Sequence, residues 1–145
     1  MDILVLYATK TGATFQCASL LSKELSHCVI CDIETEKPDI EKFDCVILGA
    51  GVRDGKIYKP IRDFIKKNND ELLKKKMGYF ICNEKPKKTE EIIAENFSDE
   101  LQKSAVCIES FGGYKAYAAP KEDMDQLKGI HADRIKTFAQ KFKEA

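Results

Sequence analysis

The chain has 145 residues, of which 43% are hydrophobic and 33% are charged, and this composition excludes an intrinsically disordered protein. The 24 basic and 24 acidic residues balance, which argues against a nucleic-acid-binding protein because such proteins usually carry a basic excess. No apolar run approaches the roughly 20 residues that span a bilayer, and the chain starts without a recognisable leader peptide. We therefore expect one domain, residues 1–145, in the cytoplasm.

Apolar runs alternate with segments of helical periodicity along the chain. Five runs predict strands that are buried on both faces: DILVLYA, CVICDIE, DCVILGA, MGYFICN and AVCIESF. Between the second and third strands we expect no more than a turn or two. Elsewhere, apolar residues at helical spacing predict four helices, over residues 14–26, 60–72, 89–101 and about 123–142.

Strands that alternate with helices in this way predict an α/β fold. We expect a doubly wound, five-stranded parallel sheet of order 2-1-3-4-5 with helices on both faces. In sheets of this kind, ligands bind outside the carboxyl ends of the strands, where strands 1 and 3 lie side by side.

The segment between the first strand and the first helix predicts a phosphate site. It consists of Thr9, Lys10, Thr11, Gly12, Ala13 and Thr14. The start of a helix offers backbone N–H groups and the positive end of the helix dipole. The threonine hydroxyls add donors, and Gly12 allows the backbone to turn closely around an anion. A phosphate monoester is the expected ligand.

Other phosphate-binding families fit this segment less well. Neither G-x-x-x-x-G-K-[ST] nor G-x-G-x-x-G is present, although Asp32 lies about 20 residues downstream, where a ribose-binding acid would lie. A phospho-receiver domain has the same topology, but it needs acidic residues after the first strand and an aspartate at the end of the third. Here those strand ends read YAT and GAG.

Two segments resemble the flavodoxin family. The pattern [ST]-x-T-G-x-T at residues 9–14 resembles the loop that wraps the phosphate of FMN, and CVILGAGVRDGKIYK at residues 45–59 is similar to the branch that includes the menaquinone-dependent protoporphyrinogen dehydrogenases. The resemblance implies a flavodoxin-like fold, FMN as cofactor and redox chemistry. By position it implies two segments along the isoalloxazine ring, formed by Ala50, Gly51, Val52, Arg53 and Gly55 on one side and by Cys82, Asn83 and Glu84 on the other. Gly112 and Gly113 are implied to lie near the same edge.

Departures from the electron carriers of that family favour an oxidoreductase. The chain has no Trp, its net charge is zero, and the segment ICNEKPKK contains no aromatic residue, so a flat substrate has room to stack on the flavin. Tyr58 either covers one face of the ring or is a partly buried loop aromatic. Arg53 either stabilises the negative charge of the reduced ring or is solvated. A non-enzymatic electron-transfer protein is the alternative, and a binding module without flavin is a third class.

Several properties stay unassigned. The resemblance implies an oxidoreductase that is protoporphyrinogen dehydrogenase-like or linked to quinone or NAD(P)H, with a small-molecule substrate or a redox partner protein. The fifth strand leads almost directly to the last helix, without the extra segment of the protoporphyrinogen dehydrogenases, which argues against porphyrin as substrate and quinone as acceptor. The redox partner and the oligomeric state are also open.

The remaining reactive side chains are expected to be structural. Six cysteines in apolar runs predict reduced, buried thiols, and Cys28 and Cys31 of the single C-x-x-C pattern lie in a predicted strand, where their side chains should point to opposite faces. No metal-ligand spacing is evident. His27 and His131 are expected to be structural, and we identify no catalytic residue.

Overall fold

The computed structural model describes residues 2–9, 12–53, 55–83, 88–112 and 130–145. The strands are β1 (Ile3–Ala8), β2 (Cys28–Asp32), β3 (Cys45–Arg53), β4 (Lys56–Ile57), β5 (Lys76–Cys82) and β6 (Ala105–Ser110). The helices are α1 (Ala13–Glu24), α2 (Lys59–Leu73), α3 (Thr89–Asn96), α4 (Asp99–Ser104) and α5 (Ala132–Glu144), with a short 3₁₀ helix at Ile40–Lys42.

The predicted sheet is confirmed. Five strands pair in parallel in the order β2-β1-β3-β5-β6. Since β4 is a short antiparallel addition to the end of β3, this order equals the predicted 2-1-3-4-5. Leu6 of β1 lies between Cys31 of β2 and Leu48 of β3, which places the strand with the phosphate motif near the middle of the sheet.

Two apolar layers hold the sheet. Val5 and Ile47 belong to the layer beneath α1 and α5, while their neighbours Leu6 and Leu48 belong to the layer beneath α2, α3 and α4. Because successive side chains of a strand alternate between faces, both sets must be apolar, which explains the continuous apolar runs in the sequence.

The two cysteines of the C-x-x-C pattern lie on opposite faces, as predicted. Cys31 is buried in the layer beneath α2, and the partly buried Cys28 packs against the layer beneath α1. Burial raises the pKa of the Cys28 thiol to about 11, so this thiol is protonated at neutral pH. A pair held on opposite sides of a sheet is unsuited to disulfide exchange.

The predicted helix over residues 89–101 is wrong, because the structure divides it into α3 and α4. Phe97 adopts an extended conformation, with φ −123°. The Ser98 hydroxyl then accepts a hydrogen bond of 3.2 Å from the N–H of Leu101 and caps a new helix. A serine cap followed by two acidic residues is a strong helix start, which the apolar spacing across the break concealed.

The last helix begins later than predicted. α5 starts at Ala132, and residues 123–129 of the predicted helix lie outside the described residues. Ile130 forms an isolated antiparallel bridge with Gly112, and the N–H of His131 donates to the carbonyl of Phe111 at 2.8 Å. His131 therefore precedes α5 and connects the helix to the end of β6.

No helix of the described residues is both long and apolar enough to cross a bilayer. The longest of them, α2, has 15 residues and charged side chains along its exposed face.

Tyr79 gives a test of the packing beneath α3. Its hydroxyl is buried and has no hydrogen-bond partner among the residues that the structure describes, and its ring packs against Phe97 with centroids 4.9 Å apart. A buried polar group without a partner costs about 1–3 kcal/mol. Tyr79→Phe is therefore expected to raise the free energy of unfolding by about 1 kcal/mol, measured by urea denaturation.

Tyr79→Leu is the control for this experiment. It removes the hydroxyl together with the ring that packs on Phe97, so it should lower the free energy of unfolding by about 2 kcal/mol. A Tyr79→Phe variant less stable than the wild type would show that the hydroxyl is paired in solution.

Candidate functional site

The predicted site segments meet at one edge of the sheet. The register pairs Ala8 at the end of β1 with Ala50 of β3, and Gly51 of β3 with Cys82 at the end of β5. The segments that follow β1 and β5 therefore flank the end of β3 on its two sides. This juxtaposition follows from the parallel pairing, in which the carboxyl ends of all strands lie at the same edge.

The segment after β1 turns sharply into α1. Gly12 occupies the N-cap position with φ 92°, a left-handed conformation that favours glycine. Its N–H donates to the Thr9 hydroxyl oxygen at 2.9 Å, which fixes the turn. Gly12 has no side chain, so the helix start has no side-chain cap at this position, and an anion can approach the backbone closely there. Lys10 and Thr11 of this segment lie outside the described residues.

Buried polar side chains concentrate at this edge. Among the described residues, three polar side chains are buried: Thr14 in the first turn of α1, Asn83 after β5, and Ser110 at the end of β6. Their exposed fractions are 2%, 5% and 1%. Buried polar groups are costly unless they are hydrogen-bonded, so their collection at the end of the strands marks that edge as the polar side of the sheet.

The third strand is longer than predicted. The predicted strand ends at Ala50, but Gly51, Val52 and Arg53 continue β3, and the chain then folds back into β4. Val52 pairs with Ile57 and Arg53 pairs with Lys56, so β3 and β4 are joined by a tight turn that includes Gly55. Asp-Gly is a preferred sequence for such a turn, and Gly55 has the φ of 78° that it requires. We call residues 52–57 the β3–β4 hairpin.

Gly51 is packed against Tyr58. The N–H of Tyr58 donates to the carbonyl of Gly51 at 3.0 Å, and a Cβ placed on Gly51 would lie 2.5 Å from the tyrosine ring. The ring also packs on the apolar layer beneath α2. Tyr58 is thus a partly buried aromatic residue, as in the second of the two alternatives. Its ring lies so close to residue 51 that only glycine fits there.

The segment after β5 turns one side chain inward. Cys82 is buried, and its thiol donates a weak hydrogen bond to the thiol of Cys17 on α1 at 3.5 Å. The protonated form of Cys17 shares this hydrogen bond with Cys82, and this interaction and burial raise the pKa of the Cys17 thiol, so the group stays protonated and unreactive. Cys82 therefore faces the core beneath α1, and it is its backbone that lies along the site. Asn83 follows at the edge, and Glu84 lies outside the described residues.

The other predicted residues are placed as follows. Arg53 is exposed on the β3–β4 hairpin. Gly112 follows β6 at the same edge of the sheet, with φ 79°, and Gly113 lies outside the described residues.

An exposed aromatic residue at this edge was missed. Phe15 in the first turn of α1 is 47% exposed, and its ring lies 5.7 Å from that of Tyr7 at the end of β1. The sequence carries a signal for it, because Phe15 falls outside the apolar helix face of Cys17, Ala18 and Leu21. An exposed ring beside the Thr9–Gly12 turn is available to contact a ligand or a partner.

Comparison with known proteins agrees with this architecture. The Escherichia coli K12 protein named protoporphyrinogen IX dehydrogenase (quinone) is 31% identical over 88 residues, which cover 57% of this chain and 49% of the relative. The chain spans about half the length of the curated relatives that it matches.

Solved structures of similar fold cover most of the chain. A short-chain flavodoxin associated with a non-canonical PDU bacterial microcompartment aligns with a TM-score of 0.66 at 19% identity, over 99% of this chain and 98% of that one. A Lactobacillus acidophilus flavoprotein, solved in complex with FMN, aligns with a TM-score of 0.61 at 12% identity, over 75% of this chain and 92% of that one. The model of the family described as Flavodoxin domain matches residues 4–127, and the chain belongs to this family.

Proposed function

We propose that this chain binds FMN at the carboxyl edge of its sheet and acts as an FMN-dependent oxidoreductase. The observation that carries the proposal is the Thr9–Gly12 turn at the start of α1, beside the carboxyl ends of β3 and β5. Membership of the flavodoxin family and the FMN complex of the Lactobacillus flavoprotein support the choice of cofactor.

The donor set at the start of α1 fits a phosphate monoester. The residues that would hold the phosphate are Thr9, Lys10, Thr11, Gly12, Ala13 and Thr14. The backbone of the first turn supplies N–H donors, the buried Thr14 lies in that turn, and the helix dipole favours a dianion. Only glycine adopts the Gly12 conformation without strain, so the turn keeps the donors together.

Two segments would flank the isoalloxazine ring. One is the end of β3 with its hairpin, formed by Ala50, Gly51, Val52, Arg53 and Gly55, and the other is Cys82, Asn83 and Glu84. FMN, when bound, supplies the ring that accepts and donates electrons. The protein orients the ring between two strand ends, and the Cys82 side chain contributes by packing on α1.

Gly12 and Gly55 form a matched pair for testing the phosphate site. Both have positive φ, so alanine strains the backbone by about 1–2 kcal/mol at either position. Gly12→Ala should raise the Kd of FMN about tenfold and leave the Kd of riboflavin, which lacks the phosphate, within about twofold of the wild type. Gly55→Ala should change both Kd values by the same factor. Isothermal titration calorimetry with both flavins measures the Kd values of the two variants. An equal rise of the FMN and riboflavin Kd values for Gly12→Ala would contradict the phosphate assignment.

Cofactor choice is the direct test of the proposal. The protein is incubated with FMN or FAD, passed through gel filtration and examined by visible absorption. We expect retained flavin bands with FMN and none with FAD, because the turn fits a monoester. A colourless protein after incubation with FMN would refute the proposal.

An electron-transfer protein is the second candidate function, and the flavodoxins among the similar structures favour it. The neutral charge, the absence of Trp and the partial identity to the E. coli dehydrogenase favour the oxidoreductase. Reductive titration of the FMN-loaded protein separates the two. We expect one two-electron step, whereas two well-separated one-electron steps would indicate the electron carrier. The cytoplasmic location and the single-domain organisation stay predictions.

Arg53 offers a test of the electrostatics at the ring. Its exposed position on the hairpin limits the effect of its charge to about 1 kcal/mol, which is about 20 mV for a two-electron couple. A positive charge favours the reduced ring, so Arg53→Ala should lower the midpoint potential by about 20 mV at low salt. Lys66→Ala, which removes an exposed charge from α2, should leave it unchanged. Equal midpoint potentials for the wild type and Arg53→Ala would show that the Arg53 side chain is solvated and does not stabilise the reduced ring.

A further inference from the structure

The β3–β4 hairpin cannot be held by its own ladder. β4 consists of two residues, Lys56 and Ile57, and an isolated two-stranded hairpin is at best marginally stable in water. The Ile57 side chain is buried in the apolar layer beneath α2 and is 1% exposed. The position of the turn itself therefore depends on contacts from elsewhere in the chain.

Asn96, the last residue of α3, makes those contacts. Its Nδ2 donates to the carbonyl of Gly55 at 2.8 Å, and its Oδ1 accepts from the N–H of Ile57 at 3.1 Å. Nδ2 also donates to the carbonyl of Ile92 at 2.8 Å, which fixes the side chain to its own helix. A flipped amide would place oxygen against two carbonyls and nitrogen against an N–H, so the network determines the orientation.

A second side chain completes the attachment. Nε of Arg62 on α2 donates to the carbonyl of Ile57 at 2.9 Å. Both backbone groups of Ile57 are thus bound by side chains of two different helices. The hairpin is attached to α3 and α2 on the side where a further strand would otherwise pair.

The chain order makes this attachment relevant to the site. The second proposed ring segment, Cys82–Glu84, leads into α3, and the last residue of α3 then binds the hairpin that carries the first. α3 is therefore a direct link between the two segments proposed to flank the ring. α1, which follows the phosphate turn, packs on the opposite face of the sheet, and the N–H of Gly12 donates to Thr9 and to neither the hairpin nor α3.

We propose that Asn96 is a positioning residue of the flavin site, which sets the distance of the β3–β4 hairpin from the isoalloxazine ring. This inference rests on the proposed FMN binding. Asn96 contacts only the part of the site that is proposed to hold the isoalloxazine ring. Loss of Asn96 should therefore weaken the binding of the ring and leave unchanged the part of the binding free energy that the phosphate contributes.

Asn96→Leu tests this, with Asn68→Leu as the matched control. Nδ2 of Asn68 donates to the carbonyl of Phe64 four residues earlier at 3.0 Å, as Asn96 does to Ile92, and no contact of Asn68 with the hairpin occurs in the part of the chain that is described. Asn96→Leu should raise the Kd of riboflavin about tenfold and change the visible circular dichroism of the bound flavin. The ratio of the riboflavin and FMN Kd values, which measures the phosphate contribution, should stay within twofold. Asn68→Leu should leave all three quantities unchanged.

Arg62→Lys is the second variant, in case Asn96→Leu does not fold by far-ultraviolet circular dichroism. It keeps the charge but removes the planar Nε donor to Ile57, so a rise of the riboflavin Kd of about threefold is expected. If Asn96→Leu fails to fold, an unchanged riboflavin Kd for Arg62→Lys overturns the inference.

The outcomes separate the inference from the proposed function. Wild type that binds neither flavin refutes the proposed function itself. Wild type that binds both, with a folded Asn96→Leu variant of unchanged riboflavin Kd and spectrum, overturns only the positioning role. A changed ratio of the two Kd values would also overturn it, because Asn96 would then act through the phosphate turn.

Discussion

Burial of the central strands on both faces is the constraint on which the rest of this structure depends. β1, β3 and β5 are covered by α1 and α5 on one side and by α2, α3 and α4 on the other. Polar side chains are therefore costly along the length of these strands, as the buried hydroxyl of Tyr79 in β5 illustrates. Within the described residues, the buried polar side chains Thr14, Asn83 and Ser110 gather beyond the carboxyl ends, where the sheet stops and the chain must turn. The apolar packing behind that edge is the reason that we place the proposed site there.

The two ends of the proposed site are built by different means. The phosphate end is local, since Thr9 and Gly12 are three residues apart and one hydrogen bond fixes the turn. The ring end is assembled from distant parts of the chain, because the hairpin is attached through Asn96, some 40 residues later, and through Arg62 on α2. Mutations at the phosphate end should weaken the binding of FMN only, whereas mutations at the ring end should weaken the binding of FMN and of riboflavin. Measuring the affinity for both flavins therefore distinguishes the two ends of the site.

The same difference decides what could be predicted from the sequence. The strands, their order and the Thr9–Gly12 turn were predictable, because apolar runs and a glycine before a helix are local signals. The hairpin was missed because β4 has only two residues, although Asp-Gly at residues 54–55 is a recognised turn signal. The contact of Tyr58 with Gly51 and the inward turn of Cys82 toward Cys17 depend on tertiary packing. No local pattern distinguishes Asn96 from any other asparagine near a helix end.

The most direct test of the central claim is an amide NMR titration of the ¹⁵N-labelled protein with FMN and, separately, with riboflavin. The account predicts that the amides of Gly12, Ala13 and Thr14 shift with FMN and stay in place with riboflavin. Those of Val52, Arg53 and Asn83 should shift with both. Shifts confined to another region, such as the cleft of about 170 Å³ lined by Ser26, His27 and Lys143 at the amino ends of the strands, would contradict the account.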